Sequence, residues 1–407
     1  MARKRLRLQP TCRLHCEAAR GLVPASAAPG DARRFLMKDA RFLSMLFCAA
    51  VVAAFWRAPA PGPAEFFAPP VSQAMSVEAP AGEESLPAVA PFSHSVNLAE
   101  TPDGRLAAVW FSGSKEAESD VAIWMSIRGA SGWSAPRAIA TPETTSAGTG
   151  AFVRTLGNAV LAVAGGKLHL FYVSVGYGGW AASSLNHAVS DDEGATWSAP
   201  KKLVTSPFLN ISTLARGAAL PLTDGGFGLP VYHELLDKRG EWLRLSAEGD
   251  ILAKTRLPSE RRALQPSVAA LDGRRALAIL RDSGVGAGLL MAAVTEDGGD
   301  SWRALPSLPI VNEDSFAALL RLRDGRLLLA ANPAPGKARN PLVLFISETG
   351  DAWKVLCTVE RSARGDENFA YPSLLQSRDG LIHLAYTRNY RALAHRVFAP
   401  DFSGCAP

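Results

Sequence analysis

A two-residue turn recurs six times between residues 91 and 400, and apolar strands flank each copy. Asp-Gly and Gly-Gly pairs beside alternating apolar residues are strong signals for a β-hairpin. The turns are Asp103-Gly104, Gly165-Gly166, Asp224-Gly225, Asp272-Gly273, Asp324-Gly325 and Asp379-Gly380, spaced 48 to 62 residues apart. A period near 50 residues is typical of a propeller blade, so the sequence predicts an all-β, six-bladed β-propeller over residues 91–400.

A second motif falls later in several repeats. Residues 190–197 follow the pattern S-x-D-x-G-x-x-W, and residues 295–302 repeat it with Thr in the first position. Residues 126–133 and 347–353 are eroded copies. Since Ser and Asp bond a turn backbone, Gly accepts a positive φ and Trp packs between strands, we expect structural turns away from any ligand pocket.

The composition suits a turn-rich β protein, because hydrophobic residues make up 48% of the chain, with 35 Gly and 28 Pro. The net charge of +5 comes largely from the first 40 residues, so nucleic-acid binding is not expected. No phosphate-binding loop, dinucleotide fingerprint or metal-ligand spacing occurs, and neither a cofactor nor a metal is predicted.

The region before the repeats divides into three parts. Residues 1–41 are basic and predicted to be disordered, unless translation starts at Met37. Residues 42–56 are an uncharged apolar run, which indicates a signal peptide or signal anchor, the alternative being a buried helix. Residues 57–90 are rich in Pro and Ala and are predicted to be a linker. We therefore expect export to the periplasm or outside the cell. A cleaved segment would release the protein, whereas a retained one would anchor it to the inner membrane, and the sequence leaves both alternatives open.

Two of the five cysteines, Cys357 and Cys405, lie in the predicted propeller. They form a disulfide if the compartment is oxidising, or they are two unrelated buried thiols. The propeller is expected to be a monomer.

A propeller brings the starts of its inner strands, and the ends of its second strands, to one face. Polar residues about eight to ten positions before the turns, and about eight to fifteen positions after them, should therefore converge on an axial pocket. The residues before the turns are His94, Asn158, Arg216, Gln265, Asp314 and Tyr371, and those after them are Glu116, Glu234, Arg281 and Arg339. Acids, arginines and a tyrosine at equivalent edges indicate a carbohydrate or anion site, although each also has an ordinary structural explanation.

Three segments carry a resemblance to the sialidases, and the 190–197 motif resembles their Asp-box. Residues 368–387 resemble the segment with the nucleophilic tyrosine, which matches Tyr371. Residues 327–347 and 268–284 resemble those with two arginines of a carboxylate-binding triad, which match Arg339 and Arg281. The resemblance implies a glycosidase that uses a tyrosine, where an attacking carboxylate would be repelled by the acidic sugar.

Two positions differ from the family pattern: His94 stands where the first arginine is expected, and Gln265 replaces the glutamate that activates the tyrosine. Gln cannot take a proton, and histidine cannot form a bidentate guanidinium clamp. For the proton donor, Glu116 is our first choice within residues 113–120, and Glu234 is a candidate for the missing base.

Two functions follow from these observations. The first is an exported glycoside hydrolase that acts on an acidic or modified glycan, and it predicts a carboxylate within reach of Tyr371. The second is a non-catalytic propeller that binds a glycan or a protein, and Tyr371 then has no base beside it.

Overall fold

The computed structural model describes residues 40–53, 62–72, 77–79, 82–206, 210–235, 237–259, 262–284, 288–336 and 338–405. The chain divides into two compact units, residues 1–60 and 61–407. In the first unit, residues 40–53 form a helix with exposed side chains, which overlaps the segment 42–56 predicted as a signal peptide or signal anchor. Among the described residues, no helix combines the length and apolarity that crossing a membrane requires.

The described strands of the second unit form six antiparallel sheets, which confirms the predicted six-bladed propeller. The strands are given from the axis outward. Blade 1 contains Phe92–Glu100, Leu106–Gly113, Ala122–Gly129, Gly132–Trp133 and Arg137–Ala140; blade 2 contains Thr155–Ala164, Lys167–Val175, Ser183–Ser190 and Lys201–Lys202; blade 3 contains Thr213–Ala215, Leu220–Pro221, Phe227–His233, Arg239–Leu245 and Ile251–Arg256. Blade 4 contains Ala263–Ala270, Ala276–Asp282, Met291–Thr295 and Arg303–Leu305; blade 5 contains Ala318–Arg321, Leu327–Ala331, Leu342–Ser347 and Lys354–Glu360; blade 6 contains Phe369–Gln376, Ile382–Arg388, Ala392–Phe398 and Glu83–Ser85. Pro142–Thr149 is an α-helix, and Trp180–Ala182 is a 3₁₀ turn.

Each of the six predicted turns joins the innermost strand of a blade to the second. In the Asp-Gly turns the aspartate accepts a backbone N–H two residues later, as in Asp103 with Arg105 at 3.2 Å and Asp379 with Leu381 at 3.0 Å. Asp accepts this bond readily, and in four of the five Asp-Gly turns the glycine adopts the left-handed backbone that follows it, as at Gly104 with φ 86°; Gly273 is the exception. The turn chemistry read from the sequence therefore sets the position of each inner hairpin.

The two complete copies of the second motif form the same turn. Gly194 N–H donates to Ser190 Oγ at 2.8 Å, and Thr196 N–H donates to Asp192 Oδ1 at 2.8 Å. The bonds of residues 295–301 repeat this pattern. Both copies lie between the third and fourth strands of their blades, away from the axis.

The segment predicted as a linker contributes to the propeller. Its residues Glu83–Ser85 pair with Ala392–Phe398 and become the outer strand of blade 6, ahead of the boundary expected at residue 91. Phe66, which is 1% exposed, forms a β-bridge with Leu222 and packs against Trp242. Pro and Ala content indicated an extended chain, but it could not reveal that this chain binds along the domain.

Neighbouring blades are joined near the axis by side chains that accept backbone N–H groups. Asn97 Oδ1 of blade 1 accepts from Leu161 N–H of blade 2 at 2.9 Å. A serine does the same across two other interfaces: Ser373 accepts from Leu98 at 3.0 Å, and Ser267 accepts from Leu319 at 2.9 Å. These bonds fix the level of each inner strand relative to the next.

Cys357 of blade 5 and Cys405 near the chain end form a disulfide, with their Cα atoms 5.7 Å apart. Of the two alternatives left open by the sequence, the structure therefore has the pair. The bond ties the segment after the last blade to the outer strand of blade 5.

Blade 6 also buries two histidines in contact. His383 Nδ1 lies 3.0 Å from His395 Nε2, and the rings are stacked at 9°. His383 Nε2 lies 2.9 Å from Ser377 Oγ, while His395 Nδ1 lies 3.4 Å from Glu84 Oε2 in the outer strand. Burial, with the neighbouring histidine as a further cause, lowers the pKa of His383 to about 4, and burial lowers the pKa of His395 to about 4.

Acid should therefore destabilise the propeller between pH 6.5 and 4. An unfolded histidine has a pKa near 6.5, so the unfolded chain takes up protons that the folded pair refuses, and stability present above pH 6.5 is lost as the pH falls. We expect a loss of roughly 1–2 kcal/mol per histidine at pH 5, measured by urea denaturation at pH 7 and pH 5. The double variant His383→Gln/His395→Gln should lose less over the same interval; an equal loss would assign the acid sensitivity to other groups.

Candidate functional site

The inner strands break their regular pairing at the face where the site was predicted. Pairing shifts between Leu264 and Ser267 in blade 4, and between Ala370 and Ser373 in blade 6. The bulge residues Gln265 and Tyr371 have φ values of 50° and 55°. A left-handed backbone at a residue other than glycine costs about 1–3 kcal/mol and concentrates at functional sites. The bulges bring both side chains together at the axis.

Tyr371 is the centre of the pocket. Its hydroxyl accepts a hydrogen bond from Gln265 Nε2 at 2.9 Å and lies 3.5 Å from Arg281 Nη1. Arg281 Nη1 also donates to Gln265 Oε1 at 2.8 Å, which fixes the amide with its nitrogen toward Tyr371. The same amide nitrogen lies 3.3 Å from the hydroxyl of Tyr232. Among the described residues, no carboxylate forms a hydrogen bond with Tyr371.

The two arginines of the pocket differ in how far they are neutralised. Arg281 pairs with Asp314, whose Oδ1 lies 2.7 Å from Nε and 2.6 Å from Nη2. Arg339 donates through Nη1 to the hydroxyl of Tyr390 at 2.8 Å, and its guanidinium lies 5.1 Å from the centre of the Tyr371 ring. Within the described part of the chain Arg339 has no carboxylate partner, so its charge is the more available to a ligand.

These charges change the acidity of Tyr371. Burial by itself raises the pKa of this phenol, but the guanidinium groups of Arg281 and Arg339 and the Gln265 amide outweigh it and lower the pKa below its ordinary value. In contrast, burial raises the pKa of Tyr232 and Tyr390. Tyr371 is therefore the pocket tyrosine whose phenolate is stabilised.

His94 supports Tyr371 instead of replacing the expected arginine. It is 3% exposed, its Nδ1 lies 3.1 Å from Thr387 Oγ1, and its ring centre is 4.3 Å from that of Tyr371. Burial, with Arg339 and Arg216 nearby, lowers the pKa of His94 well below its ordinary value. A neutral, enclosed imidazole cannot bind a carboxylate as a cation, so the structure places His94 behind the pocket wall.

Arg216 lies beneath the pocket and not in it. It is 1% exposed, and its Nη2 donates to the carbonyl oxygens of Val96, Tyr371 and Pro372 at 3.2, 2.7 and 3.0 Å. Its guanidinium also lies 4.5 Å from the ring centre of Phe316. The side chain crosses from blade 3 to blades 1 and 6 and closes the channel. Its position in the sequence predicted direct contact with a ligand, but its burial prevents that contact.

The remaining predicted residues lie around this centre. Asn158 is 8% exposed and donates to the hydroxyl of Tyr232 at 3.1 Å, so it supports that ring. Glu234 is half-buried near the end of the same strand as Tyr232. Glu116 is on an exposed loop, but the protein surrounding its carboxyl desolvates it and raises its pKa, with Arg339 opposing the change. Within the described ranges, no cluster of His, Cys, Asp or Glu could hold a metal ion.

Two pocket residues were not predicted from the sequence. Tyr232 lies two positions before Glu234, the residue that was predicted from this segment, and Tyr390 follows the last inner hairpin. Tyr390 has φ 56° and follows Asn389 with φ 52°, so a tight turn carries its ring over Arg339. A search for every aromatic residue at strand ends on this face, beyond the family motifs, would have found both.

The sequence matches a family model described as BNR repeat-like domain over residues 104–384. No curated protein matches it.

Three solved structures illustrate what the fold is similar to. A Hadza microbial sialidase superposes with a TM-score of 0.62 at 17% identity, covering 75% of this chain and 65% of its own, so this chain spans about two thirds of that protein. A protein of unknown function from Dyadobacter fermentans gives 0.61 at 14% identity, covering 77% and 97%. The intramolecular trans-sialidase from Ruminococcus gnavus, in complex with oseltamivir carboxylate, gives 0.60 at 15% identity, covering 78% and 96%. At these identities the likeness concerns the fold.

Arg216→Met should raise the pKa of Tyr371 and destabilise the domain. The variant removes a buried positive charge and leaves three carbonyl oxygens without their donor, at a cost of about 3 kcal/mol or more in unfolding free energy. Arg216→Lys keeps the charge and should change the pKa less. The measurements are NMR titration of ¹³Cζ-labelled tyrosine and urea denaturation.

The matched control is Arg137→Met, which removes an exposed arginine that bonds the carbonyl oxygen of Ala195 at 2.6 Å. It should leave both quantities unchanged. A Tyr371 pKa that does not rise in Arg216→Met would contradict the electrostatic role given to Arg216.

Proposed function

The chain belongs to the BNR repeat-like domain family and has the sialidase fold, and from this premise we propose that it is an exported glycoside hydrolase acting on a glycan that carries a carboxylate. The proposed site is the axial pocket around Tyr371, with the sugar acid bound beside the two arginines. Sialic acid and other acidic sugars share the chemistry that this pocket offers.

One observation carries the proposal: the Tyr371 hydroxyl lies between the Gln265 amide at 2.9 Å and Arg281 Nη1 at 3.5 Å, and its pKa is lowered in spite of burial. A phenol is a weak nucleophile at its ordinary pKa and needs a base or a stabilised anion. Here cationic and donor groups favour the phenolate directly. Tyr371 is therefore able to act as a nucleophile without a carboxylate base.

The charges of the pocket side chains also indicate which ligand charge the pocket would bind. Arg339 has no carboxylate partner within the described residues and faces Tyr371 and Tyr390, while Arg281 shares its charge with Asp314. A ligand carboxylate beside Arg339 would form a charge-assisted hydrogen bond in a partly desolvated site. Without a third arginine in the place of His94, we expect the pocket to bind such a carboxylate less tightly than a full triad would.

The steps of the proposed reaction use two residues. Tyr371 first loses its phenol proton to solvent water, and the phenolate oxygen attacks the anomeric carbon while Glu116, whose raised pKa favours its acid form, gives a proton to the departing oxygen. Water then attacks the anomeric carbon of the tyrosyl-linked sugar, Glu116 takes its proton, and the Tyr371 oxygen leaves. Glu234 follows the strand that contains Tyr232 and is the alternative proton carrier.

Export is supported by two features of the chain. An apolar run with basic residues before it precedes the propeller, and the propeller contains the Cys357–Cys405 disulfide, a bond typical of oxidising compartments.

A second candidate function is glycan binding without turnover. It is favoured by Gln265, which occupies the base position beside Tyr371 and has no proton-accepting side chain at neutral pH. Both candidates place the same ligand in the same pocket, so only turnover separates them.

Tyr371→Phe should abolish hydrolysis of the best substrate in a panel of fluorogenic glycosides that includes sialosides and uronides. We expect kcat to fall at least 1,000-fold with ligand binding retained, since only the attacking oxygen is removed. Tyr390→Phe is the matched control: it removes the hydroxyl that holds Arg339 and should raise KM while changing kcat little. Activity that survives Tyr371→Phe would disprove the nucleophile, and binding without turnover in the unmodified protein would establish the second candidate.

Gln265→Glu should increase activity. A carboxylate at this position would lie about where the amide nitrogen bonds Tyr371, remain paired with Arg281, and accept the phenol proton. General-base catalysis contributes about 100-fold or more, so a rise in kcat/KM of at least tenfold is expected. Gln265→Leu, which offers neither a base nor a donor, should lower it; no change in either variant would show that residue 265 does not act on Tyr371.

A further inference from the structure

A second cavity opens on the propeller face opposite the Tyr371 pocket. It has a volume of about 460 Å³ and lies where the inner strands end, between segments such as Leu98–Glu100, Val268–Ala270 and Leu374–Gln376. We call it the basal cavity. Between it and the Tyr371 pocket, a void of only about 10 Å³ remains around Arg216 and Phe316. The two cavities are therefore separate sites and not two mouths of one open channel.

The walls of the basal cavity are apolar, and its charged residues are mostly cationic. Buried aliphatic side chains from the inner strands form the walls, including Leu161 and Leu319. Among the described lining residues, three are arginines, Arg321, Arg323 and Arg378, and one is a carboxylate, Glu100. An apolar cavity of this size with a few polar groups at one side has the properties of a small-ligand site.

Two of these arginines are not neutralised. Arg321 donates to the Pro69 carbonyl oxygen at 3.2 Å, and Arg323 donates to the Arg378 carbonyl oxygen at 2.8 Å. Neither has a carboxylate partner among the described residues, whereas Arg378 is paired with Glu100 at 3.7 Å. Partly buried guanidinium groups held by carbonyl oxygens keep their full charge, so an anionic group is the matching ligand chemistry.

We propose that the basal cavity binds a long-chain carboxylate, with its hydrocarbon chain against the inner strands and its head group beside Arg321 and Arg323. Both features are needed for selectivity. The apolar walls alone do not discriminate between ligands of different charge, and the arginines alone do not discriminate between anions with and without a hydrocarbon tail. Together they select an anionic amphiphile over a cationic or a short polar one. This site is independent of the reaction proposed for Tyr371.

The test is isothermal titration of the full chain with octanoate, decanoate and dodecanoate below their micelle concentrations. Affinity should rise about fourfold for each added CH₂, because each buried methylene contributes a constant increment. Dodecyltrimethylammonium, of similar length and opposite charge, should bind at least tenfold more weakly than dodecanoate. Absence of saturable dodecanoate binding, or equal binding of the two amphiphiles, would overturn the proposal.

Variants place the ligand in this cavity. Ala219→Trp fills it from a half-buried lining position and should abolish dodecanoate binding. Arg321→Gln/Arg323→Gln changes only partly exposed side chains and should weaken binding at least tenfold. Tyr371→Phe, in the other pocket, should leave it unchanged. Dodecanoate binding that is lost in Tyr371→Phe, or kept in both cavity variants, would refute the assignment whether or not the protein hydrolyses glycans.

Discussion

The pocket depends on one backbone constraint, the left-handed bulge near the start of the inner strands. A regular strand would direct alternate side chains toward the adjacent blades. The bulges at Gln265 and Tyr371 instead bring both side chains to the axis and free carbonyl oxygens from strand pairing. Arg216 binds the carbonyl oxygens of Tyr371 and Pro372 in the blade 6 bulge and that of Val96 in a corresponding bulge of blade 1, so the residue that compensates for these bulges also carries the buried charge beneath Tyr371. Geometry and electrostatics of the pocket thus have a common origin.

If Tyr371 is the nucleophile that we propose, the positive charges around it take the place of a neighbouring carboxylate base. A base beside a phenol accepts the proton, whereas guanidinium groups stabilise the phenolate left after the proton has gone. Both favour the reactive form, but only the base also provides a path for the proton. The contacts of Gln265 and Arg281 therefore fit either an enzyme slower than one with a carboxylate base beside the tyrosine, or a site that binds a glycan without turnover.

Much of the fold could be read from the sequence because it rests on local chemistry. The six turns and the Asp-containing motifs each specify a backbone conformation within a few residues, and their spacing gave the blades. The site was predicted in part: Tyr371, Gln265, Arg281, Asp314 and Arg339 do meet at the axis. His94 and Arg216 lie at the strand positions that the sequence predicted. The position along a strand does not show how deeply a side chain is buried, and both are buried behind other side chains. Tyr232 and Tyr390 could not be predicted from charge or from the family motifs, because an uncharged aromatic residue at a strand end has the same pattern as one that packs in the core.

The outer strand of blade 6 comes from Glu83–Ser85, ahead of every other blade strand in the chain, although its partner is Ala392–Phe398. During synthesis this strand emerges before every other blade strand and has no partner until residues 392–398 have followed. The ring can close only after those residues have been made, so the propeller stays open while all of the other blades are synthesised. If the proposed export takes place through a channel that admits only unfolded chains, such late closure would be an advantage, since the ring is not closed before its last strand has been made.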